Sequence, residues 1–336
     1  MSKLDEVAKL AGVSKATVSR VINNSETVSS AARQKVLDAL QALQFQPHEL
    51  KRSSSGGGNG VLGMILPFGK QIWGHSFGIE ILAGAEEKAF EQDCLILLGN
   101  SNGGRETALT GSMIGRGIEG LIVMSSERGQ REHLQQVQAH GIPLVLVDQK
   151  VEGLGAHLVR GDSFMGAVTL MTHLIGQGHR RIGLVSPNKH YTYTERIKGY
   201  RYALMEHNIP SNARFEALES DEQPAAGLLS HMLDADERPS ALFVTSPGML
   251  GTVISVLNQK RLRIPDDISL VTFDESYTAL PEEYKSFFTS INQSGKLIGT
   301  IAVELLFRQQ RDPELEPQEI VLPGTFTARS SVRPLL

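Results

Sequence analysis

From Val61 to the end of the 336-residue sequence, short apolar runs alternate with stretches of helical periodicity. The runs Val61–Leu66, Leu95–Leu98, Leu121–Met124 and Leu144–Val147 read as buried parallel strands. Amphipathic segments at 77–91, 104–116 and 128–140 separate them. The rhythm then restarts: Ile182–Val185, Ala241–Val244 and Leu270–Phe273 read as strands, with helical segments at 163–177, 194–207, 225–235 and 248–260. Parallel strands need a long crossover, usually a helix, so the alternation predicts an α/β fold of doubly wound parallel sheets. The restart predicts two such sheets. Open sheets of this type bind ligands outside the carboxyl ends of their strands. A cleft between two similar lobes is therefore the expected ligand site, with hinge closure as its motion.

Composition removes several classes of function. With 40% hydrophobic and 21% charged residues, the chain has the balance of a folded globular protein. No apolar stretch approaches the ~20 residues needed to span a bilayer. The start, Met1-Ser2-Lys3-Leu4-Asp5-Glu6, has no apolar signal core, which predicts a cytoplasmic protein. The single cysteine, Cys94, leaves neither an internal disulfide nor a cysteine-based zinc cluster. Enzyme signatures are also missing. Gly56, Gly57 and Gly58 precede a strand where a phosphate loop follows one, and Gly103-Gly104 lacks the Lys-Ser/Thr of a nucleotide-binding loop. The sequence holds no His-Glu-x-x-His spacing. No cofactor, metal or catalytic residue is expected.

The first 46 residues follow a different pattern. Leu4, Val7, Ala8 and Ala11 have the spacing of one helical face, Gly12 is a natural stop, and Val13 can pack back. Ser14 is placed to cap a second helix starting near Lys15, in which Val18, Val21 and Ile22 form a stripe opposite Ala16, Arg20 and Asn23. A third helix from Ser29 or Ser30 is expected to bury Val36, Leu37, Leu40 and Leu43. Three short helices with a tight glycine turn between the first two form a helix-turn-helix, whose second helix suits a major groove. Charge agrees: residues 1–60 carry eight Lys/Arg against five Asp/Glu, while the remainder carries 25 against 32. A positive head on a negative body suits a protein that touches phosphate at one end.

The segment Val7-Ala8-Lys9-Leu10-Ala11-Gly12-Val13-Ser14-Lys15-Ala16-Thr17-Val18-Ser19-Arg20-Val21-Ile22-Asn23 closely resembles the headpiece signature of the lactose-repressor (LacI/GalR) family. By that resemblance Lys15, Ala16 and Arg20 read base edges. Arg20 can present a two-pronged donor to guanine, and Ala16 an apolar contact to a thymine methyl. Ser14, Thr17, Ser19 and Asn23 suit phosphate oxygens, which fix register without reading sequence. Ser14 serves equally well as a helix cap.

Pro47-His48-Glu49-Leu50-Lys51-Arg52-Ser53 falls where the family carries a hinge helix that inserts a leucine into the minor groove. Here the next residue is Ser54, and Ser55-Gly56-Gly57-Gly58-Asn59-Gly60 follows. Each glycine costs roughly 1 kcal/mol in a helix relative to alanine, so the stretch reads as a flexible tether. Either Leu50 is the wedge or the operator is bent less. Lys51 and Arg52 are expected on the DNA backbone.

The resemblance continues through Gly176-Gln177-Gly178-His179-Arg180-Arg181-Ile182-Gly183, Arg196-Ile197-Lys198-Gly199-Tyr200-Arg201-Tyr202-Ala203-Leu204, Arg263-Ile264-Pro265-Asp266-Asp267-Ile268-Ser269 and Phe273-Asp274. It implies a transcription regulator, a repressor by preference, with a body like the periplasmic sugar-binding proteins. Its parts are a headpiece at 1–46, a hinge at 47–60, and a two-lobed effector and dimerisation domain at 61–336. The N-lobe takes about 61–160 and 292–322, and the C-lobe about 161–291 and 323–336.

Asp274, ending a buried strand, can accept hydrogen bonds from paired hydroxyls, and Arg196 can donate from a helix facing the cleft. Both match effector positions of the family, though they could instead pair with each other. Phe164 can stack on a sugar face or simply fill the core. Phe77 opens the first body helix, where the family often has paired aromatics; Gly78 replaces the second, and Trp73 lies nearby. Ser246-Pro247 stands where sugar-binding relatives read Asn-Asp, which opens the effector class to sugar acids and derivatives beside simple sugars. Lys189, Tyr191 and Tyr193, in the loop after Val185, are further candidates. The sequence ends at Leu336 just after an expected strand, without a heptad helix, which favours a homodimer on an inverted-repeat operator. The alternatives are a DNA-binding protein with a degenerate, ligand-free pocket and an α/β enzyme.

Overall fold

Glycine and serine punctuate the helical head as their chemistry requires. In a computed structural model that describes residues 3–22, 28–43, 60–67, 76–101, 104–124, 131–274 and 281–335, α1 spans Lys3–Ala11, α2 Lys15–Ile22 and α3 Ser30–Ala42. Gly12 ends α1 at φ +66°, the left-handed region open to a residue without Cβ, and the Val13 N–H donates back to the Ala8 carbonyl at 3.1 Å. The Ser14 hydroxyl accepts from the Thr17 N–H at 3.1 Å, and the Ser29 hydroxyl from the Ala32 N–H at 3.3 Å. These caps satisfy donors that a helix start leaves unpaired. Val7, Ala8, Ala11, Val18, Val21, Val36, Ala39 and Leu40 form the core, with Val13, Val28 and Leu43 against it. The expectation for Leu37 fails: it is 44% exposed. Val36, Ala39, Leu40 and Leu43 make the i, i+3, i+4, i+7 stripe, and Leu37, one residue on, is turned about 100° away from it.

Among the described residues, the body contains two six-stranded sheets. In the first, β1 (Val61–Leu66), β2 (Leu95–Asn100), β3 (Leu121–Val123), β4 (Leu144–Val147), β5 (His157–Gly161) and β11 (Glu319–Leu322) lie in the order β11-β5-β4-β3-β1-β2, all parallel. In the second, β6 (Ile182–Pro187), β7 (Glu216–Glu219), β8 (Ala241–Val244), β9 (Ser269–Phe273), β10 (Thr289–Asn292) and β12 (Thr325–Thr327) lie in the order β12-β10-β9-β8-β6-β7. Only the β10–β12 pair there is antiparallel. The two orders are equivalent strand for strand, so β4 of one lobe corresponds to β9 of the other.

Crossover helices cover the sheets: α4 (Ser76–Phe90), α5 (Glu106–Gly115) and α6 (Glu132–Ala139) in the first lobe, and α7 (Ser163–Gly176), α8 (Tyr191–Glu206), α9 (Ala225–Leu233) and α10 (Leu250–Gln259) in the second. Helix α11 (Gly295–Arg311) leaves β10 and packs on the first lobe, beside Leu62, Ile81 and Val145. A Cβ on Gly84 would lie 1.9 Å from the Lys296 carbonyl oxygen, and one on Gly299 would lie 2.0 Å from that of Ile81. Helices α4 and α11 thus meet backbone to backbone. Gly84→Ala should cost about 3 kcal/mol, since neither backbone can yield as a side chain would. A urea midpoint unchanged from wild type would contradict this contact.

Two strand-and-helix expectations need correction. The run Leu95–Leu98 is not buried: Leu95 is 68% and Leu98 43% exposed, because β2 ends its sheet and, among the described residues, pairs only with β1. Tyr191 and Tyr193 do not lie in a loop. Strand β6 runs on to Pro187 and α8 starts at Tyr191, so both tyrosines belong to its first turn. Leu4 and Ile22 lie in helices, but their side chains are outside the described part. Asn23, residues 44–59 with Leu50, Lys51, Arg52 and Ser54, and Trp73 lie outside the described residues altogether.

Candidate functional site

Asp274 follows β9 with φ 48°, and Asp148 follows the equivalent strand β4 with φ 54°. Their backbone N–H groups donate to matching partners, Asp274 to the Ile291 carbonyl at 2.9 Å and Asp148 to the Val159 carbonyl at 3.0 Å. Each lobe therefore presents one aspartate at the carboxyl end of its fourth strand, held in a conformation that asparagine and aspartate tolerate better than other non-glycine residues. The sequence reading found Asp274 and missed Asp148. The signal was present, since Leu144–Val147 is followed by an acid just as Leu270–Phe273 is.

The Asp274 carboxylate is 8% exposed and accepts from the Gln293 N–H at 2.9 Å and from Gln293 Nε2 at 2.7 Å. Two carboxylate oxygens have about four lone-pair sites, so roughly two remain for a ligand. Arg196, 3% exposed, lies in the second turn of α8. Its Nε donates to Ser163 Oγ at 3.3 Å and its Nη1 to the Thr245 carbonyl at 2.5 Å. Nη2 stands 3.9 Å from Asp274 Oδ2, an ion pair without a hydrogen bond. The guanidinium lies 3.7 Å from the centroid of the Phe273 ring and 5.8 Å from that of Tyr193. Arg196 and Asp274 do pair, as one reading expected, yet each keeps hydrogen-bonding capacity free of the other.

Across the cleft, Thr192 Oγ1 lies 2.9 Å from both the Asp148 carbonyl and Asp148 Oδ2. Enclosure by protein atoms pushes the Asp148 carboxyl up to about 6; the Arg196 charge and the Thr192 hydroxyl oppose the rise, and the Asp274 charge adds to it. Ser246 is buried and its hydroxyl lies 3.3 Å from the Tyr193 hydroxyl. Asp148, Thr192, Tyr193, Arg196, Ser246 and Asp274 thus meet where the lobes face each other. Phe164 and Phe77 have other neighbours: the Phe164 ring packs 5.4 Å from that of Tyr202, and Phe77 borders the core of the first lobe. Lys189 pairs with Asp221, away from this group.

On the head, Lys15, Ala16 and Arg20 are exposed together on α2. Lys15 Nζ also pairs with Asp5 at 3.1 Å. Ser14 Oγ lies 2.9 Å from Thr17 Oγ1, so both hydroxyls also serve the helix start. The Ser19 side chain lies outside the described part.

A helical head with an exposed polar helix, joined to two doubly wound lobes facing a polar cleft, defines a DNA-binding transcription regulator with a ligand-binding body. Residues 3–48 match the model of "Bacterial regulatory proteins, lacI family", and residues 171–332 that of a "Periplasmic binding protein-like domain". The head of the chain belongs to the lacI family of bacterial regulatory proteins. It is 29% identical to the HTH-type transcriptional repressor PurR of Actinobacillus pleuropneumoniae, over 100% of this chain and 99% of the relative. It is also 29% identical to catabolite control protein A of Priestia megaterium, over 98% of each. Among solved structures, the transcriptional regulator CelR in complex with cellobiose is similar at TM-score 0.73 and 26% identity, over 98% of this chain and 100% of that one. A LacI-family regulator from Enterococcus faecium with bound ribose is similar at TM-score 0.70 and 25% identity, over 82% of this chain and 100% of that one. These relatives are regulators, not enzymes. No helix among the described residues is long and apolar enough to cross a membrane.

Proposed function

We propose that this regulator, a repressor like its relatives, binds a carbohydrate or carbohydrate derivative between its lobes and changes its operator affinity in response. One observation carries the reading: a carboxylate and a guanidinium of one lobe, with free hydrogen-bonding sites, face an aspartate of the other. A polyhydroxylated ligand can bridge such a set, donating to Asp274 and Asp148 and accepting from Arg196, with Ser246 beside it. The sugars held by CelR and by the Enterococcus faecium regulator support this class. Phe77 and Phe164 remain flanking candidates. So many buried polar groups in one cleft weigh against a degenerate pocket. Calorimetry of the full chain against cellobiose, ribose, hexoses, sugar acids and sugar phosphates tests the reading; binding of any one that is lost in Asp274→Ala supports it. Saturable binding undiminished by that change would place the ligand elsewhere.

The head (1–46) and hinge (47–60) contact DNA in this reading. Lys15, Ala16 and Arg20 read base edges, while Ser14, Thr17, Ser19, Asn23, Lys51 and Arg52 hold the backbone. Arg20→Ala should cost ~1–3 kcal/mol and relax preference at one base pair. Selection of operators from random duplexes followed by titration checks this, and unchanged affinity and preference would refute the docking.

The lobe limits, 61–160 with 292–322 and 161–291 with 323–336, follow the crossings between sheets. The assembly is a homodimer, located in the cytoplasm with the DNA, on an inverted-repeat operator with half-sites about one helical turn apart. Phe90, at the end of α4, and Leu95 and Leu98, on the edge strand β2, are 70%, 68% and 43% exposed, apolar side chains suited to burial against a second copy. A cavity of about 520 Å³ between α9 and α10, lined by Ala226, Gly227, Ser230, Gly251, Thr252 and Ser255, offers the second lobe a surface for the same partner. Leu95→Lys should shift sedimentation toward the monomer and weaken operator binding. A stable dimer in that variant would move the interface.

A further inference from the structure

We propose that Asp148 makes closure of the cleft proton-linked, so that acid draws the lobes together in the absence of effector. The inference rests on the reading that effector closes this same cleft, and concerns what else controls it.

The charges in the cleft do not balance. Two carboxylates, Asp148 from the first lobe and Asp274 from the second, face one guanidinium, Arg196. That guanidinium is already committed to Ser163, Thr245 and the Phe273 ring. The other cations close in sequence to the Asp148 side of the cleft are spent elsewhere: Lys150 Nζ lies 3.0 Å and Arg160 Nε 2.8 Å from Glu319, and Arg160 also lies over the Tyr191 ring at 5.8 Å. Asp148 itself is met by the Thr192 hydroxyl from α8 and by the Gly161 N–H at the end of β5. Neither carries a charge.

Closure therefore brings Asp148 out of water and up to a second acid. Two hydrogen bonds and a share of one guanidinium do not offset that loss, which is why its carboxyl is pushed up to about 6. The direction of the linkage follows. A carboxyl whose value is raised in the closed form binds a proton more tightly there than in an open, hydrated cleft, so closure is favoured by protons. The contribution is fully present below the ordinary carboxylate value and is lost as the pH rises through about 6. Effector hydroxyls can take the proton's place at neutral pH, because donors to the ionised carboxylate lower its value again. Proton and effector are thus alternative occupants of the same carboxylate. Near pH 6, effector binding should release a proton.

Small-angle scattering of the full chain without ligand tests this. Wild type should shrink in radius of gyration between about pH 7.5 and about pH 5, with its midpoint near 6. Asp148→Asn, which cannot ionise, should have the smaller radius at both values. Thr192→Val removes a donor that holds the Asp148 value down, so its midpoint should move to higher pH; this keeps the test decisive if Asp148→Asn folds poorly. A wild-type radius independent of pH overturns the proposal. So does a pH response that Asp148→Asn retains, or a midpoint that Thr192→Val leaves in place. Failure of every sugar to bind would undo the effector reading separately, without touching this response.

Discussion

Replacing Asp274 with alanine should remove the effector response and leave effector-free operator binding close to wild type. The carboxylate supplies about two acceptor sites to the cleft beyond those taken by Gln293. Hydrogen bonds to a charged group are worth about 1.5–3 kcal/mol each, so losing two weakens ligand by on the order of 100-fold or more. The head is a separate helical unit with its own core, which Asp274 does not touch. Operator titration with and without a bound sugar reads both effects. Loss of DNA binding together with the response would mean that Asp274 holds the fold and not the ligand.

Arg196→Met should cost more stability than Asp274→Ala. When Asp274 is removed, Arg196 keeps Ser163, the Thr245 carbonyl, the Phe273 ring and the Asp148 charge. When Arg196 is removed, two acids lose the cation they share and the Thr245 carbonyl loses a charged donor. Breaking a buried pair by removing one partner typically costs 3–5 kcal/mol, because the remaining charge is left uncompensated. Urea unfolding of both variants at neutral pH should rank them in that order. Equal midpoints would show that Arg196 is not the keystone its contacts imply.

Much of this architecture was legible from the sequence. Val61–Leu66, Leu144–Val147 and Ala241–Val244 are strands with the bounds expected, since central parallel strands are continuous apolar runs of four to six residues, too short for an ordinary helix. Gly12, Ser14 and Ser29 marked helix ends through chemistry that acts within a few residues. Features set by distant partners were harder to read. Strand β7, Glu216–Glu219, has a mixed composition and exists because β6 pairs with it. The exposure of Leu95 depends on β2 ending its sheet, and local sequence does not say which strand is at an edge. Asp274 was found through Phe273-Asp274, whereas Asp148 required seeing that β4 and β9 occupy equivalent places. The role of Thr192 depends on how the lobes face each other, which no local pattern encodes.

The central claim is that ligand held between the lobes alters DNA affinity at the head. Fluorescence anisotropy of a selected operator, titrated with the full chain in the presence and absence of a sugar that calorimetry shows to bind, tests it directly. Operator affinity should change several-fold with sugar in the wild type and remain constant in Asp274→Ala. Identical operator affinity in the wild type with and without bound sugar would contradict it.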